Sequence, residues 1–192
     1  TTGIGEILYK GISAHHLHVN DCIIVTNDVG NHGACILAAR EEIEIESELK
    51  TDCATLWKPV EALIESGITL YAMRDATRGG LSAVLNEWAQ TSNVCIEIEE
   101  DKIPVANEVK GICELLGFEP YEFANEGTMV ICVPAHDAQK ALDILARFEE
   151  TKKSAIIGKV SERFCEKVVL HTPWGSQRFV EPPKGELLPR IC

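Results

Sequence analysis

The sequence predicts an α+β fold in which helices pack on a mixed β-sheet. Short β-branched runs are interleaved with amphipathic stretches, but they do not alternate strictly as they would in a doubly wound α/β chain. The chain has 192 residues, 45% of them hydrophobic, so folding buries roughly 70% of the unfolded chain's surface, enough for an ordinary core without metals or staples.

Residues 4–9 and 22–26 read as strands, joined by a polar segment that closes on the turn pair Asn20-Asp21. Gly30-Asn31-His32-Gly33 then opens a short helix over 34–40. Glu41, Glu42, Glu44, Glu46 and Glu48 around Ile43 and Ile45 read as a solvated loop or edge. Thr51-Asp52 caps a helix running to about residue 66, with Leu56, Val60, Leu63 and Ile64 on one face and Gly67 at its C-cap. A strand over 68–73 leads into the turn Arg74-Asp75-Ala76-Thr77-Arg78-Gly79-Gly80, a helix over 81–90 and a strand over 94–98. Pro104 opens a helix that ends near Leu116-Gly117. After Phe123-Ala124-Asn125-Glu126-Gly127 come a strand over 128–133, a helix over 137–148, and strands over 155–160, 167–171 and 177–180. Three prolines and a glycine in residues 181–192 predict an extended arm.

Charge narrows the possible functions. Lys plus Arg total 18 against 30 Asp plus Glu, a formal charge of -12. The molecule therefore repels phosphate backbones and anionic lipid as a whole, and its scattered cations form no basic patch. Neither nucleic acid nor membrane is an expected partner. No apolar run approaches the roughly 20 residues of a membrane helix, and the start, Thr1-Thr2-Gly3-Ile4-Gly5-Glu6, lacks the layout of a signal peptide. Eight cysteines at 22, 35, 53, 95, 113, 132, 165 and 192 form no CxxC pair. Their placement inside apolar segments points to free thiols, a reducing cytoplasmic setting and no structural zinc.

Several segments carry chemistry. Asp75-Ala76-Thr77-Arg78-Gly79-Gly80 lies between a strand and a helix, where free N–H groups and the helix dipole favour an anion. Arg78 can grip two phosphate oxygens, and Asp75 can either hold a metal-bound water or orient the arginine. The competing reading is a plain helix start whose glycines serve close packing. Glu126, beside the apolar Phe123 and Ala124, is a candidate general base whose partial desolvation would raise its pKa, although a loop glutamate capping local N–H groups is the commoner case. His32 can contact an anion or orient a substrate, with a satisfied turn histidine as the bland alternative. His15, His16 and His18 have no partner at ligand spacing and read as an exposed loop. Cys192 places a thiol on the last residue of a twelve-residue arm that spans about 35 Å at roughly 3.1 Å per residue, the design of a swinging carrier. A terminal cysteine without a role is the alternative.

Taken in order, Gly30-Asn31-His32-Gly33, Thr51-Asp52-Cys53, Arg74-Asp75-Ala76-Thr77-Arg78-Gly79-Gly80, Phe123-Ala124-Asn125-Glu126-Gly127 and the terminal Pro189-Arg190-Ile191-Cys192 resemble the HypE family of NiFe-hydrogenase maturation proteins. That family lies within the aminoimidazole ribonucleotide (AIR) synthase-like, or PurM-like, ATP-binding superfamily. The resemblance covers essentially the whole chain, and the terminal Pro-Arg-Ile-Cys is its specific element.

The resemblance implies a PurM C-terminal-domain-like α/β sandwich over residues 1–180 and a flexible arm over 181–192 that ends in the carrier cysteine. It also implies a role in making the cyanide ligands of the hydrogenase iron. A carbamoyltransferase, HypF, places a carboxamide on Cys192; ATP-dependent dehydration converts it to a thiocyanate; the cyano group passes to the HypC-HypD complex. Glu126 is then the base, Asp75, Thr77, Arg78, Gly79 and Gly80 face the phosphates, and Asn125 and His32 orient the substrate. ATP and Mg2+ are expected mainly on a preceding half, which also forms the homodimer. The glycine-rich loop and acidic Mg2+ ligands of that half have no counterpart here, so the chain resembles the second half only, with no metal ligands of its own, and is expected to fold but to dehydrate poorly or not at all by itself. Two rivals are another superfamily enzyme, such as a selenophosphate synthetase or thiamine-phosphate kinase, and a non-catalytic carrier or docking module.

Overall fold

The computed structural model describes residues 4–42 and 49–183. In chain order the elements are β1 (Cys22–Val25), α1 (Asn31–Arg40), α2 (Trp57–Glu65), β2 (Ala72–Asp75), α3 (Gly80–Ser92), β3 (Cys95–Glu99), α4 (Asn107–Leu116), β4 (Met129–Val133), α5 (Ala135–Leu145), β5 (Ala155–Ser161), β6 (Val168–His171) and β7 (Gln177–Phe179). The strands form one seven-stranded sheet in the order β2-β4-β1-β5-β3-β6-β7. Only the β3–β6 pair is parallel, so the sheet is mixed, as the interleaved pattern predicts.

Side chains that alternate along the strands sort the helices into two layers. Ile23 and Val25 of β1, with Val130 and Cys132 of β4, pack with Leu81, Val84, Leu85 and Trp88 of α3. Ile24, Ile131 and Val133 face the other way, onto Leu63 of α2 and Ala138, Ala141 and Ile144 of α5. A third cluster joins Ala34, Leu37 and Ala38 of α1 to Val109, Ile112 and Cys113 of α4 and to Phe123. Apolar residues on both faces of β1 and β4 are what a strand covered on both sides requires.

Three expected elements differ. Residues 4–9 form no strand: Ile4, Ile7 and Leu8 are exposed, and the segment reaches the body through Tyr9 and Ile12, which pack on the second cluster. The strand expected over 68–73 pairs only from Ala72 and runs on to Asp75, opposite Met129. Upstream of it, side chains replace the ladder: Asp137 Oδ2 accepts from the Thr69 N–H at 2.9 Å and the Tyr9 hydroxyl from the Leu70 N–H at 3.0 Å. Helix α2 begins at Trp57 without a side-chain cap, because the Asp52 carboxylate is engaged elsewhere. The acidic positions 44, 46 and 48 and the terminal Cys192 lie outside the described residues. Among the described residues, no helix is long and apolar enough to cross a membrane.

Candidate functional site

Four segments far apart in sequence meet at one end of α1 and α3. The hub on one side is Asn125, which is fully buried. Its Oδ1 accepts from the Gly30 N–H at 2.7 Å, and its Nδ2 donates to the carbonyls of Ala76 at 2.9 Å and Phe123 at 3.0 Å. One amide therefore ties the loop before α1, the loop after β2 and its own loop together. Because these backbone groups occupy its side chain, Asn125 orients the site through the loops that it fastens. Gly33 completes the contact, donating to the Ala124 carbonyl at 2.9 Å. A Cβ on Gly33 would lie 2.7 Å from Phe123 Cβ.

The second hub is Asp52, only 8% exposed and absent from the sequence-derived site. Its Oδ1 accepts from the Glu126 N–H at 3.1 Å, and its Oδ2 accepts from the Gly127 N–H and the Thr128 hydroxyl, both at 3.0 Å. The residue read as a helix cap is thus an anion inside a nest of donors that fixes the backbone of the candidate base. Gly127 is required by this approach, since a Cβ there would lie 1.8 Å from the Asp52 carbonyl oxygen. On either side of Asp52, Thr51 Oγ1 stands 2.9 Å from His32 Nδ1 and donates to Cys53 Sγ at 3.2 Å. His32, Thr51 and Cys53 therefore lie beside the Glu126 loop. Asn31 Oδ1, next to His32, is shielded from solvent and accepts no hydrogen bond among the described residues.

The Glu126 side chain is exposed, so the partial desolvation expected from its apolar neighbours is not met within these residues. Phe123 is buried in the α1–α4 cluster. Asp75 and Arg78 are exposed and Thr77 half-buried; the Thr77 carbonyl accepts from the Gly80 N–H at 3.0 Å. Gly79 and Gly80 have φ of 71° and 60°, the left-handed region that favours glycine. Packing constrains both as well. A Cβ on Gly80 would lie 2.3 Å from the Phe123 carbonyl oxygen, and one on Gly79 would lie 2.7 Å from Pro183 Cγ. The glycine turn thus brings α3 against the Glu126 loop and receives the start of the C-terminal segment.

Electrostatics beneath the site follow from burial. Burial and then Glu119 push the Glu122 carboxyl up, with Arg178 opposing. Burial, followed by the charges of Asp52 and Cys53, also pushes up the Cys35 thiol on α1. Both shifts favour the neutral forms of these groups, and Arg78 is the exposed cation between Thr77 and Gly79.

The description of the AIR synthase related protein, C-terminal domain, matches residues 18–171. The chain belongs to that family. It is similar along its whole length to proteins of hydrogenase maturation. It is 41% identical to a hydrogenase expression/formation protein of Methanocaldococcus jannaschii, covering 57% of that protein. It is also 38% identical to the carbamoyl dehydratase HypE of Rhodobacter capsulatus and 40% to that of Escherichia coli strain K12, covering 57% and 56% of them. The chain thus spans little more than half the length of the curated relatives it matches. Among solved structures, a hydrogenase maturation protein HypE superposes with a TM-score of 0.93 at 33% identity, over 98% of this chain and 61% of that one. A HypE in complex with ATP gives 0.92 at 32% identity, over 98% and 58%. A thiamine monophosphate kinase, at 22% identity and a TM-score of 0.59 over 87% of this chain and 54% of that one, shares the fold alone. The resemblance to HypE read from the motifs thus holds across the chain, as does the PurM-like sandwich that it implied.

Proposed function

We propose that this chain is the C-terminal half of an ATP-dependent carbamoyl dehydratase that turns an S-carboxamide on Cys192 into a thiocyanate, for the cyanide ligands of a NiFe hydrogenase. The observation that carries this reading is the convergence of the four motif segments on an exposed glutamate, Glu126, whose backbone Asp52 holds fast. Chain similarity to carbamoyl dehydratases supports it.

An amide oxygen is a poor leaving group, so the γ-phosphoryl of ATP is transferred to the carboxamide oxygen while the first of the two N–H protons is released to solvent, giving an O-phosphorylated imidate and ADP. Loss of the remaining N–H proton and of phosphate then leaves the C≡N triple bond on sulfur. Glu126 accepts the proton, a contribution of roughly 10²–10⁴ in rate. Arg78, with Asp75, Thr77, Gly79 and Gly80 at the start of α3, meets the phosphates. Asn125 and His32 keep the two loops in register with the carboxamide. Mg2+ and most of the nucleotide are assigned to the further part that the relatives carry, which also forms the dimer.

The partners assigned are a HypF-type carbamoyltransferase before this step, as in a solved HypE–HypF complex, and a HypC-HypD complex after it, all in the cytoplasm. The test is intact-mass analysis of the complete protein with carbamoyltransferase and carbamoyl phosphate, before and after ATP. The expected result is a Cys192 adduct that loses one water only with ATP. Glu126→Gln is expected to keep the adduct and block that loss; normal loss in Glu126→Gln would leave the chain a carrier without this base.

A further inference from the structure

Residues 180–183 follow β7 and lie along α3, and two buried polar side chains of that helix serve this contact. Asn86 is only 4% exposed, an unfavourable site for an amide within a helix unless it is satisfied. Its Nδ2 donates to the Ser82 carbonyl in the same helix and, at 3.0 Å, to the Val180 carbonyl. Ser82 is fully buried, and its hydroxyl donates to the Glu181 carbonyl at 2.9 Å. Val180 donates its N–H to the Val168 carbonyl at 2.9 Å, and its side chain joins the main core. The Pro183 ring closes the series against Gly79. The pairs Asn86–Val180, Ser82–Glu181 and Gly79–Pro183 show the chain running back along α3 to the N-terminal end of the helix.

We propose that this clasp positions the terminal thiol, with Asn86 and Ser82 as its positioning residues, by launching residues 184–192 from the mouth of the candidate site. The proposal rests on the dehydratase reading above. Clasped, the tether is nine residues long, and it starts beside Gly79, whose neighbour Gly80 abuts the Tyr121 and Phe123 carbonyls. Unclasped, Val180 keeps its hydrogen bond to Val168 and its place in the core, and the tether starts after it and lengthens to twelve residues. Its origin then moves by up to about 10 Å, the length of α3 between Asn86 and Gly79 at roughly 1.5 Å per residue. Length alone lowers the effective concentration about 1.5-fold by the −3/2 power, and the displaced origin raises the loss to roughly two- to fivefold.

The experiment uses the complete protein and compares two rates of ATP-dependent water loss. One is in cis, on its own carbamoylated Cys192. The other is in trans, on an added Pro-Arg-Ile-Cys peptide S-carboxamide, with Cys192→Ala in the protein. The double variant Ser82→Ala, Asn86→Leu is expected to slow the cis rate two- to fivefold and leave the trans rate unchanged. A second variant loosens the clasp from the arm side and spares the helix: Glu181→Gly, Pro182→Ser, Pro183→Gly. It is expected to shift the cis rate in the same direction, and it decides the matter if the helix variant does not fold. An unchanged cis rate, or equal losses in cis and trans, would overturn the clasp. Absence of water loss in both arms of the unmodified protein would instead overturn the dehydratase reading.

Discussion

Replacing Asp52 by Asn tests whether one buried carboxylate holds the candidate base in place. The side chain changes by a single group, yet its partners are all donors: the N–H groups of Glu126 and Gly127 and the Thr128 hydroxyl, at 3.0–3.1 Å. An asparagine has one acceptor oxygen. Turned toward Gly127 and Thr128, it sets its NH2 against the Glu126 N–H; flipped, it sets the NH2 against the Gly127 N–H, while the Thr128 hydroxyl can accept from it and donate to the Asp28 carbonyl at 3.1 Å. Either orientation loses the charge from the hydrogen bonds that remain and leaves one N–H facing a donor. Hydrogen bonds to charged groups contribute about 1.5–3 kcal/mol, and an unsatisfied buried donor costs about 1–3 kcal/mol. A net loss of about 2–4 kcal/mol is expected, or roughly 5–15 °C in Tm at 2–4 °C per kcal/mol for a chain of this size. Thermal and urea unfolding of the chain measure it. Water loss from the Cys192 adduct in the complete protein should fall at least tenfold at a temperature where both proteins are folded, because displacing a catalytic group by about 1 Å costs up to about 10² in rate. Unchanged Tm and unchanged water loss in Asp52→Asn would refute the hub.

Gly127→Ala should be more damaging still, about 3 kcal/mol or more by denaturant titration, because its Cβ would meet the Asp52 carbonyl oxygen at 1.8 Å and neither backbone can yield without moving the other. Thiol labelling of the folded chain should mark Cys53 and Cys165, which are exposed, well before Cys95, Cys113 and Cys132, which are buried; burial pushes the Cys113 thiol up to about 12, and its labelling ahead of Cys53 would contradict the fold. Acid stability should depend on Glu97, whose carboxyl is held below its ordinary range first by the Ser161 hydroxyl at 2.6 Å and then by His171 at 2.8 Å. A depressed folded pKa means that this stabilisation is complete above the unfolded value of about 4.5 and is lost as pH falls through the folded one. Glu97→Gln should therefore lower stability at neutral pH and flatten its decline below about pH 4.5, as read from urea midpoints; parallel curves would show no such linkage.

Strand and helix identities were readable wherever hydrophobic period and length agreed, as in α3, α5, β3 and β4. They were not readable where a side chain replaced a backbone partner. Ile68 and Leu70 have the composition of a strand, yet Asp137 and Tyr9 satisfy the neighbouring N–H groups, and nothing local announces partners so distant in sequence. Asp52 failed for a related reason. An Asp before an apolar run is a sound cap signal, and only the folded chain shows three donors converging on it from 74 to 76 residues away. The glycines of the Arg78 turn and Gly127 were visible as special, but their cause, close backbone approach to the Phe123 and Asp52 carbonyls, is a tertiary fact. Asn86 and Ser82 left no mark in the sequence, because polar residues on a helix read as its solvent face until something buries them.

The exposure of Glu126 bears on how the labour is divided under the dehydratase reading. A carboxylate in open water is a weak base, and proton abstraction next to a phosphate leaving group gains from a dry, low-dielectric site. Within the described residues nothing covers Glu126. Asp52 fixes its backbone but leaves the side chain in solvent. On the dehydratase reading the missing cover must then come from surfaces that meet the site during turnover, the proposed arm and the further part of the relatives that this chain does not span. Binding and desolvation become one event: the arm that delivers the carboxamide also helps exclude water from the base. On this argument a chain of 192 residues can hold its loops correctly and still be inert alone. On that reading, adding the further part of the relatives in trans should restore water loss only when the arm is long enough to reach Glu126.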